Sequence, residues 1–526
     1  MNLRLLFNTI RNLKIKQLRY QIFYRLSAVK TINLYVQDND LDSPDFLSFT
    51  DCPPMINCAY ENNTFTFLNR TVHFKKAIDW SYSSDGKLWN YNLQYANFLL
   101  QENISLSKRL DWLDSLHLAL YNRQIKLEPY PTSLRIINTI RLLSKHQIDN
   151  KNIIDILNAQ LNFLSKRIEY HLLGNHILEN GFALLMGGVF LKNQALVRQA
   201  SNILRSELSE QILTDGAHFE LSTMYHQIIL FRVLELVDWY SNWNNKDTEL
   251  LDFFKEKAIL MLSWLQNISF SNGEIPYLND GNAGITYSTT YLLTYGRILG
   301  LRAAAAIKLS QSGYRAYKGV FYECIVDAAE IGASYLPGHG HADALSFILH
   351  YNNLPVFVEA ATSTYQAGII RDYERSTSAH NTVTVNNINQ SQIWGAFKVG
   401  NRANVKILFE TKETMVTEHD GYLKDLGLIH RRNFLFDKHQ VVIKDKVYGK
   451  IKPQCVAFFH LHPDTQPELE NNSLKIKDIG IVMFNNYTKT ELGNYNFAVG
   501  FNKRVLSKVL YVSFVNELET IISFDS

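Results

Sequence analysis

Residues 337–349 read Pro-Gly-His-Gly-His-Ala-Asp-Ala-Leu-Ser-Phe-Ile-Leu, and they mark the point at which the hydrophobic pattern of the chain changes. Within and beyond them apolar residues alternate, first at Leu345, Phe347 and Leu349, and this period of two predicts strands. Before them, from about residue 89 to 324, apolar residues recur three and four positions apart, which predicts successive helices. A long helical half followed by a long half of strands favours two domains over an interleaved α/β fold.

The predicted elements give approximate domain bounds. Helical spacing is clearest at 110–121, 134–143, 153–164, 228–239 and 259–265. Strands are predicted at 382–385, at 434–443 as a pair around Asp437-Lys438, and at 509–515. We therefore expect a basic helical or irregular segment at 1–85 packed on the helical domain, the helical domain itself at 86–325, and the strand domain at 326–526.

Composition limits the classes of function. The chain has 526 residues, of which 46% are hydrophobic, so it can bury a large core and global disorder is excluded. Its 53 Lys and Arg against 50 Asp and Glu leave a net charge of only +3, which argues against nucleic acid as the main partner. The four cysteines are scattered without metal-type spacing and fit reduced thiols as well as disulfides. The oligomeric state is left open.

The N-terminus is basic. Residues 1–37 contain seven Lys or Arg and no acidic residue, and the charges interrupt the apolar positions throughout, so we expect no signal peptide. The longest apolar run, about 181–191, is too short for a transmembrane helix. The pattern predicts a basic amphipathic helix that either contacts an anionic membrane surface or is a solvated face docked on its own domain. The expected location is cytoplasmic or membrane-peripheral, with the periplasm as an alternative.

Two clusters of polar residues fall in the helical half. In the first, Asn175 and Glu179 share one helix face, and His176 also neighbours Glu179. The second, 215–226, predicts a turn entering a helix that carries the pair Tyr225-His226. Both clusters fit a catalytic cleft, and both also fit purely structural roles as a capping network and a core Tyr-His pair.

Two further clusters fall in the strand half. His339 and His341 are separated by one glycine, and His380 follows Arg371-Asp372-Tyr373 by seven residues. His341, Glu359 and His380 would supply two nitrogens and one carboxylate oxygen, a donor set that zinc accepts. Histidines bonded to backbone within a sheet are the alternative.

Taken together, these clusters resemble the heparinase II/III-like polysaccharide lyases, a family related to alginate and oligoalginate lyases. The resemblance spans about residues 70–465. It is carried by the segments 89–93, 128–135, 175–180, 215–220, 225–226, 338–347, 373–383 and 390–397. It implies an incomplete (α/α) toroid followed by an antiparallel β-sandwich, with a cleft between them.

The resemblance also implies a reaction and roles for residues. Family members cleave uronate-containing polysaccharides by β-elimination, which needs a base for the C5 proton, an acid for the glycosidic oxygen, and donors that stabilise the charge developing at the uronate carboxylate. Tyr225 matches the tyrosine that protonates the leaving group and, in a syn elimination, would also take the C5 proton. His339 matches the sandwich histidine at the cleft, which is the base in an anti elimination or a partner of the carboxylate otherwise. Asn175 matches the carboxylate donor, with His176 holding its geometry. Glu179, His226, Tyr373 and Arg135 are expected to contact the substrate.

The family's metal site carries over with one change. His341 and His380 match its two histidine ligands, while the third position is usually aspartate and here is Glu359. We expect one structural zinc that fixes the His339 loop. Leu221 and Thr223 also depart from the family, in which Arg and Pro are common at these positions.

The predicted function is therefore a lyase acting on an acidic polysaccharide or oligosaccharide. The first alternative is a non-catalytic or biosynthetic factor in capsule or lipopolysaccharide assembly on the same scaffold. The second is a glycoside hydrolase, which would need two carboxylates flanking the cleft.

Overall fold

The computed structural model describes residues 3–26, 43–50 and 58–525. Cys52 and much of the predicted N-terminal segment lie outside the described residues. The N-terminal part contains α1 (Leu3–Ile10), α2 (Ile15–Leu26), β1 (Ala59–Tyr60), β2 (Thr64–Phe67) and β3 (Arg70–His73). The helical region follows, with α3 (Lys87–Gln94), α4 (Leu106–Tyr121), α5 (Pro129–His146), α6 (Lys151–Lys166), α7 (Asn175–Phe190), α8 (Gln194–Gln211), α9 (Thr223–Asn242), α10 (Thr248–Ile268) and α11 (Thr289–Ile298).

The sheet region occupies the rest of the chain. Its first part contains β4 (Tyr314–Lys318), β5 (Tyr322–Asp327), β6 (Phe347–Tyr351), β7 (Leu354–Phe357), α12 (Ile369–Glu374), β8 (Val383–Val385), β9 (Ile393–Trp394) and β10 (Lys398–Val399). Its second part contains β11 (Val405–Glu410), β12 (Thr414–His419), α13 (Leu423–Leu426), β13 (Leu428–Phe436), β14 (Gln440–Gly449), β15 (Cys455–His460), β16 (Pro467–Glu470), β17 (Ser473–Ile476), β18 (Gly480–Gly500) and β19 (Lys503–Phe524).

The helices predicted from apolar spacing are confirmed, as all five predicted segments lie within α4, α5, α6, α9 and α10. Polar side chains stabilise the helix starts, because each accepts a hydrogen bond from a backbone N–H group of the first turn. These N-cap residues include Ser105, Asn150, Asn193, Ser222, Asp247 and Ser288. Helices α7 and α9 are buried along almost their whole length and form the centre of the helical region.

Two antiparallel sheets share one apolar core in the sheet region. The smaller has the strand order β4-β5-β6-β7, and the larger has β11-β12-β13-β14-β19-β18-β17-β16, with β15 pairing with β19 and β8. Tyr317 of the smaller sheet stacks on Phe436 of the larger at 3.7 Å between ring centroids, and Tyr322 stacks on Phe524 at 4.9 Å. The predicted strand pair around Asp437-Lys438 is confirmed as the β13–β14 hairpin.

The prediction of helix up to residue 324 is wrong, because α11 ends at Ile298 and β4 begins at Tyr314. The alanine-rich segment 303–306 favours helix by propensity, yet side chains of α10 satisfy its backbone instead. Ser263 accepts from the N–H of Ala304 at 2.9 Å, and Gln266 and Asn267 donate to its carbonyl. A boundary at 325/326 would divide β5, and the segment 1–85 includes an unpredicted three-stranded sheet, β1-β2-β3.

The helical and sheet regions meet at the turn 278–282. The N–H of Asp280 bonds to the carbonyl of His339 at 3.1 Å, and the carbonyl of Gly281 accepts from the N–H of Thr362 at 3.2 Å. The Tyr314 hydroxyl donates to the carbonyl of Leu221 at 2.6 Å. Loops of both regions are therefore fixed beside the start of α9. No helix in the described ranges combines the length and the apolar character that crossing a membrane requires.

Candidate active site

The start of α9 and the loop after β5 bring Tyr225 and His339 together. Ser222 caps α9 by accepting from the N–H of Tyr225 at 3.2 Å, which fixes the first turn. The Tyr225 ring lies 4.0 Å from the His339 ring between centroids, and the Tyr365 hydroxyl donates to the Tyr225 hydroxyl at 3.3 Å. Tyr225 and Tyr365 line a cavity of about 500 Å³, so a phenol with an imidazole behind it forms one wall of a sugar-sized space.

Asn175 and Glu220 form a second pair, at the start of α7. The Glu220 carboxylate accepts from the N–H of Asn175 at 3.0 Å and from its side-chain amide at 3.2 and 3.0 Å. A negative charge suits a helix N-terminus, where backbone N–H groups lack intrahelical partners. A Cβ at Gly174 would lie 2.3 Å from Oε1 of Glu220, and its φ is 62°, so this close approach requires glycine. Glu220 Oε2 lies 3.7 Å from Nε2 of His339, which links the two pairs.

Asp280 is fully buried and organises the histidines. One of its oxygens, Oδ2, bonds to Nδ1 of His339 at 2.8 Å and accepts from Arg371 at 2.8 Å. The other, Oδ1, bonds to Nε2 of His341 at 3.0 Å and accepts from Thr362 at 3.1 Å. A neutral imidazole with Asp280 accepting at Nδ1 would carry its proton there and present Nε2 as the acceptor, on the side that faces Glu220.

The pKa values of these groups follow from burial and charge. Burial and the neighbouring Tyr365 raise the pKa of Tyr225 well above 10, so it is a neutral phenol at neutral pH. Burial alone would raise the pKa of Asp280, but Arg371 and the two histidines hold it well below its usual range. Burial likewise opposes ionisation of Glu220, while His218, His339 and the bonds from Asn175 lower its pKa. The site therefore combines one proton donor with two fixed carboxylates.

The cavity is lined mainly by aromatic rings and neutral polar groups. Rings suit contact with the faces of sugars, and amides and hydroxyls suit their hydroxyl groups. The rings belong to Phe67, Tyr95, Tyr130, Tyr225, Phe231, Tyr287, Tyr291, Tyr365 and Phe501. The neutral polar side chains belong to Thr66, Asn92, Asn97, Asn138, Thr286 and Ser288.

The charged residues of the lining are paired. Glu179, Arg141 and Arg232 line the cavity, and Glu235 lies directly behind them. Arg232 contacts Glu179 at 3.3 Å and Glu235 at 2.8 Å, and Arg141 contacts the other oxygen of Glu235 at 2.8 Å. Two arginines and two glutamates thus alternate, and their formal charges cancel.

A candidate metal-binding triad lies behind the His339 loop. His341, Asp343 and His380 are buried and each offers a ligand atom within 4.8 Å of the others. Buried atoms without hydrogen-bond partners include Nδ1 of His341, Oδ2 of Asp343 and Nε2 of His380, and these donors fit a divalent metal. Glu359 is not in this group, because it bonds instead to Nδ1 of His380. The structure thus puts Asp343 where the sequence suggested Glu359.

Other residues expected at the site have different positions. His176 is partly exposed, bonds to Glu169 at 3.1 Å and lies against Tyr130 with 4.6 Å between ring centroids. Burial opposes its charged form, but Glu169, Glu220 and Glu179 together raise the pKa of His176. His176 therefore lies beside the cavity, next to Asn175, as a polar group held by a carboxylate.

Of the residues predicted at the site, Tyr225 and Glu179 line the cavity, and His339, Asn175 and His176 lie behind or beside its lining. The other three are held elsewhere. Arg135 is buried and donates to Gln160, Thr132 and the carbonyl of Gln94, so its guanidinium holds helices together. His226 is buried, with Nε2 on the carbonyl of Met261 and Nδ1 on the N–H of His218. Tyr373 packs in a small apolar cluster of the sheet region. The prediction for these three is corrected, because interior partners occupy the polar groups of Arg135 and His226, and the half-buried Tyr373 packs on an apolar cluster of the sheet region.

Sequence reasoning missed Asp280 and gave no role to Glu220, Tyr365, Asp343 or Arg371. Asp280 lies in the turn Asn279-Asp280-Gly281, which by sequence is an ordinary polar loop. Glu220 and Asp343 could have been proposed as site residues, because each lies within a polar cluster of the sequence, at 215–226 and 337–343. Their roles depend on contacts that only the fold reveals.

Solved structures of low sequence identity share this fold. Heparinase III matches with a TM-score of 0.67 at 17% identity, over 85% of this chain and 79% of that chain. The heparan sulfate lyase HepC from Pedobacter heparinus matches with 0.59 at 16% identity, over 89% and 82%. The chondroitin AC lyase of Streptomyces coelicolor A3, in complex with chondroitin sulphate, matches with 0.51 at 11% identity, over 84% and 75%.

Sequence comparison gives the family. A heparin-sulfate lyase from Bacteroides stercoris is 27% identical over an alignment of 316 positions that covers 54% of this chain. The match spans 45% of that relative's length. Two family models match adjoining parts of the chain, "Heparinase II/III N-terminus" at residues 147–295 and "Heparinase II/III-like, C-terminal" at residues 302–524. These matches together span well over half of the sequence, and the chain belongs to the heparinase II/III-like family.

Proposed function

We propose that the protein is a polysaccharide lyase that cleaves a uronate-containing polysaccharide by β-elimination. The observation that carries the proposal is that Tyr225, which lines the cavity, contacts the ring of His339 behind it, with Asp280 holding the imidazole. One neutral acid and one oriented base are what the reaction needs. The relatives named heparin-sulfate lyase and heparinase III support a substrate of this acidic class.

The proposed step moves one proton to the protein and one to the sugar. Nε2 of His339 takes the proton from C5 of the uronate, and the electron pair of that bond forms the C4–C5 double bond. The bond between C4 and the glycosidic oxygen breaks, and that oxygen takes the proton of the Tyr225 hydroxyl. Asp280 stabilises the imidazolium that forms, and solvent returns the proton to Tyr225 afterwards. The raised pKa of Tyr225 supports its role as the acid, because the free enzyme holds it protonated.

The uronate carboxylate must be stabilised while the C5 proton leaves. Asn175 and His176 are adjacent at the start of α7, where the Asn175 amide bonds to Glu220 beside His339 and the His176 imidazole bonds to Glu169 beside Tyr130 of the lining. We assign them to the carboxylate, with Glu169 keeping His176 in the charged form that an anion prefers. Binding would require the Asn175 amide to give up one of its bonds to Glu220.

We propose that His341, Asp343 and His380 hold one zinc ion, and that Glu359 supports it from behind through His380. Two nitrogens and one oxygen suit zinc, and metal-bound histidines usually give their other nitrogen to a carboxylate. Asp280 bonds to Nε2 of His341 and Glu359 to Nδ1 of His380, which is this arrangement. The metal would act structurally, by fixing the loop that carries His339.

The charge of the cavity supports a substrate with few sulfate groups. A sulfate needs an available cation, but the lining arginines already bond to Glu179 and Glu235. Removing one partner from a buried ion pair costs about 3–5 kcal/mol. We therefore propose a polymer whose charge is mainly the uronate carboxylate, with neutral sugars on the aromatic lining.

We also propose the architecture that is typical of such lyases. The helical region is an incomplete (α/α) toroid, the two facing sheets are a β-sandwich, and the cleft lies between them. Support comes from the coverage of 85% of the chain by the heparinase III fold. A surface polysaccharide of bacteria fits as the natural polymer. A scaffold without activity would not need Tyr225 to contact a histidine, His339, that Asp280 holds in place. A glycoside hydrolase would need two carboxylates on opposite sides of the cavity.

The test is incubation with a panel of unsulfated and sulfated uronate polymers, followed by ultraviolet absorbance and reducing-end assays. A lyase produces both new ends and an absorbing C4–C5 double bond conjugated to the carboxylate. New ends without absorbance would indicate hydrolysis and overturn the proposal. No products, together with a rise in melting temperature on adding oligosaccharide, would indicate a binding protein.

A further inference from the structure

Helix α2 docks with its polar side and exposes its apolar side. Ile15, Ile22 and Leu26 are 84%, 59% and 80% exposed, and their spacing of seven and four places them on one face. The opposite side is the docked one, because Gln17 donates to the carbonyl of Leu172 and Tyr24 to the carbonyl of Ile168. A helix that belongs only to a water-soluble surface has the reverse arrangement, with apolar residues inward.

Helix α1 shows the same inversion. Phe7 is 67% exposed and Ile10 is 40% exposed, while Asn8 and Thr9, with Leu5 beside Gly400, face the sheet region. Asn8 donates to Gln392 at 3.3 Å, and Thr9 accepts from the Trp394 ring nitrogen at 3.1 Å. Two consecutive helices therefore leave their apolar sides uncovered, which one stray hydrophobic residue would not explain.

The charge of this surface is uniformly positive. Among residues 5–26 there are five Lys or Arg and no Asp or Glu, and Arg11, Lys16, Arg19 and Arg25 are exposed. Arg19 lies on the apolar face itself, between Ile15 and Ile22 in the helical order. Lys14 pairs with Glu210, Lys16 lies over the Tyr170 ring and Arg11 donates to Asn401, and these contacts fasten the segment to the body of the protein. Arg19 and Arg25 are the cations of the outward face.

We infer that the outward faces of α1 and α2 bind an anionic lipid surface, with the apolar residues at the level of the headgroups and the basic residues on lipid phosphates. This combination of exposed apolar residues and cations is the one that interfacial helices use. A second copy of the chain fits less well, because a two-fold contact would set this basic face against itself without a carboxylate. The inference does not depend on the chemistry of the cavity.

The experiment is co-sedimentation of the full chain with phosphatidylcholine vesicles, with and without phosphatidylglycerol. We expect binding to the anionic vesicles that weakens as salt is added. The double variant Ile22→Gln/Leu26→Gln keeps the charge and should lower the partition constant at least tenfold. The double variant Arg19→Gln/Arg25→Gln should lower it and flatten its salt dependence. Leu354→Gln, at a 64% exposed position of the sheet region, is the matched control and should bind like the parent chain.

Three results would overturn the inference. The first is equal binding to neutral and anionic vesicles or to neither. The second is an Ile22→Gln/Leu26→Gln variant that binds as well as Leu354→Gln. The third is a parent chain that sediments as a dimer which this variant dissociates, because the surface would then be an interface between copies. Circular dichroism of each variant confirms that lost binding does not reflect lost folding.

Discussion

The carboxylate of Asp280 bonds to Nδ1 of His339 at 2.8 Å and thereby fixes the orientation of the imidazole and of its Nε2. Because Asp280 comes from the helical region and His339 from the loop between the strands, this bond joins the two halves at the site of the proposed chemistry. We predict that Asp280→Asn lowers kcat by about 10²–10⁴-fold, the range that a positioned acid or base contributes. The loss should exceed any change in KM and should alter the pH profile of kcat.

The control for this change is Thr362→Val. Thr362 bonds to the other oxygen of Asp280, so its loss disturbs the same buried carboxylate without touching the bond to His339. We expect Thr362→Val to keep most of the activity. If both variants lose activity in proportion to their loss of melting temperature, the Asp280–His339 bond has a structural role and no special one in proton transfer.

The Tyr225 hydroxyl is the proposed acid, and the neighbouring Tyr365 hydroxyl, 3.3 Å away, is the other phenol at this point of the cavity. Tyr225→Phe keeps the ring contact with His339, so we expect an unchanged melting temperature and a fall in kcat of at least about 10²-fold. Tyr287→Phe is the matched control, because Tyr287 lines the same cavity and packs on Phe231 at 4.3 Å. If Tyr225→Phe is as active as Tyr287→Phe, a group other than Tyr225 is the acid.

The helices were predictable where burial requires apolar residues three and four positions apart, as in α5, in which Ile136, Ile140 and Leu143 are completely buried. The same burial explains the error at Arg135, since the sequence does not reveal whether an arginine on a buried helix points to a cleft or to the interior. Asp280 could not be found because its partners lie 59, 61, 82 and 91 positions away along the chain. The tyrosine and the histidines of the site were predictable only through the resemblance, not through their spacing.

Variants of the metal site can show whether Asp343 or Glu359 is the carboxylate ligand. We expect His380→Ala and Asp343→Asn to remove zinc from the purified protein, measured by elemental analysis. Glu359→Gln should keep the metal with about 10–100-fold lower affinity, as losses of such supporting contacts do. Chelators should lower the melting temperature of the parent chain. If Glu359→Gln loses the metal completely while Asp343→Asn retains it, Glu359 is the ligand that the sequence first indicated.

Glu374 gives the stability of the protein a pH dependence of known sign. Burial, partly offset by bonds from Ser363, raises the pKa of Glu374 to about 7, from an ordinary value near 4.5. Because folding raises the pKa of this carboxyl, the folded protein binds its proton more tightly than the unfolded chain does. The resulting stabilisation is complete below about pH 4.5 and is lost as the pH rises through about 7. The penalty at pH 8 is at most about 3 kcal/mol.

Glu374→Gln should therefore raise the melting temperature at pH 8 and leave it nearly unchanged near pH 4.5, as measured by calorimetry at both values. Glutamine keeps an oxygen that can accept from Ser363. Equal effects at both pH values would show that Glu374 is ionised in the folded protein throughout. The matched control is Glu418→Gln, a glutamate whose pKa is lowered by Arg431 and Tyr448 despite some burial, and which should show no gain at pH 8.

The charge balance of the cavity predicts its response to sulfate. Glu235 bonds to Arg232 and Arg141 at 2.8 Å each. Glu235→Gln would leave the two arginines with Glu179 as the one remaining carboxylate of this group. We expect this variant to bind a heparin tetrasaccharide about tenfold more tightly than the parent chain, a difference of about 1.4 kcal/mol, by titration calorimetry. Binding of an unsulfated glucuronate tetrasaccharide should change little, because its carboxylate is assigned to Asn175 and His176. A parent chain that already prefers the sulfated tetrasaccharide, and loses that preference in Arg232→Gln, would show that Arg232 serves the substrate despite its pairing with Glu179 and Glu235.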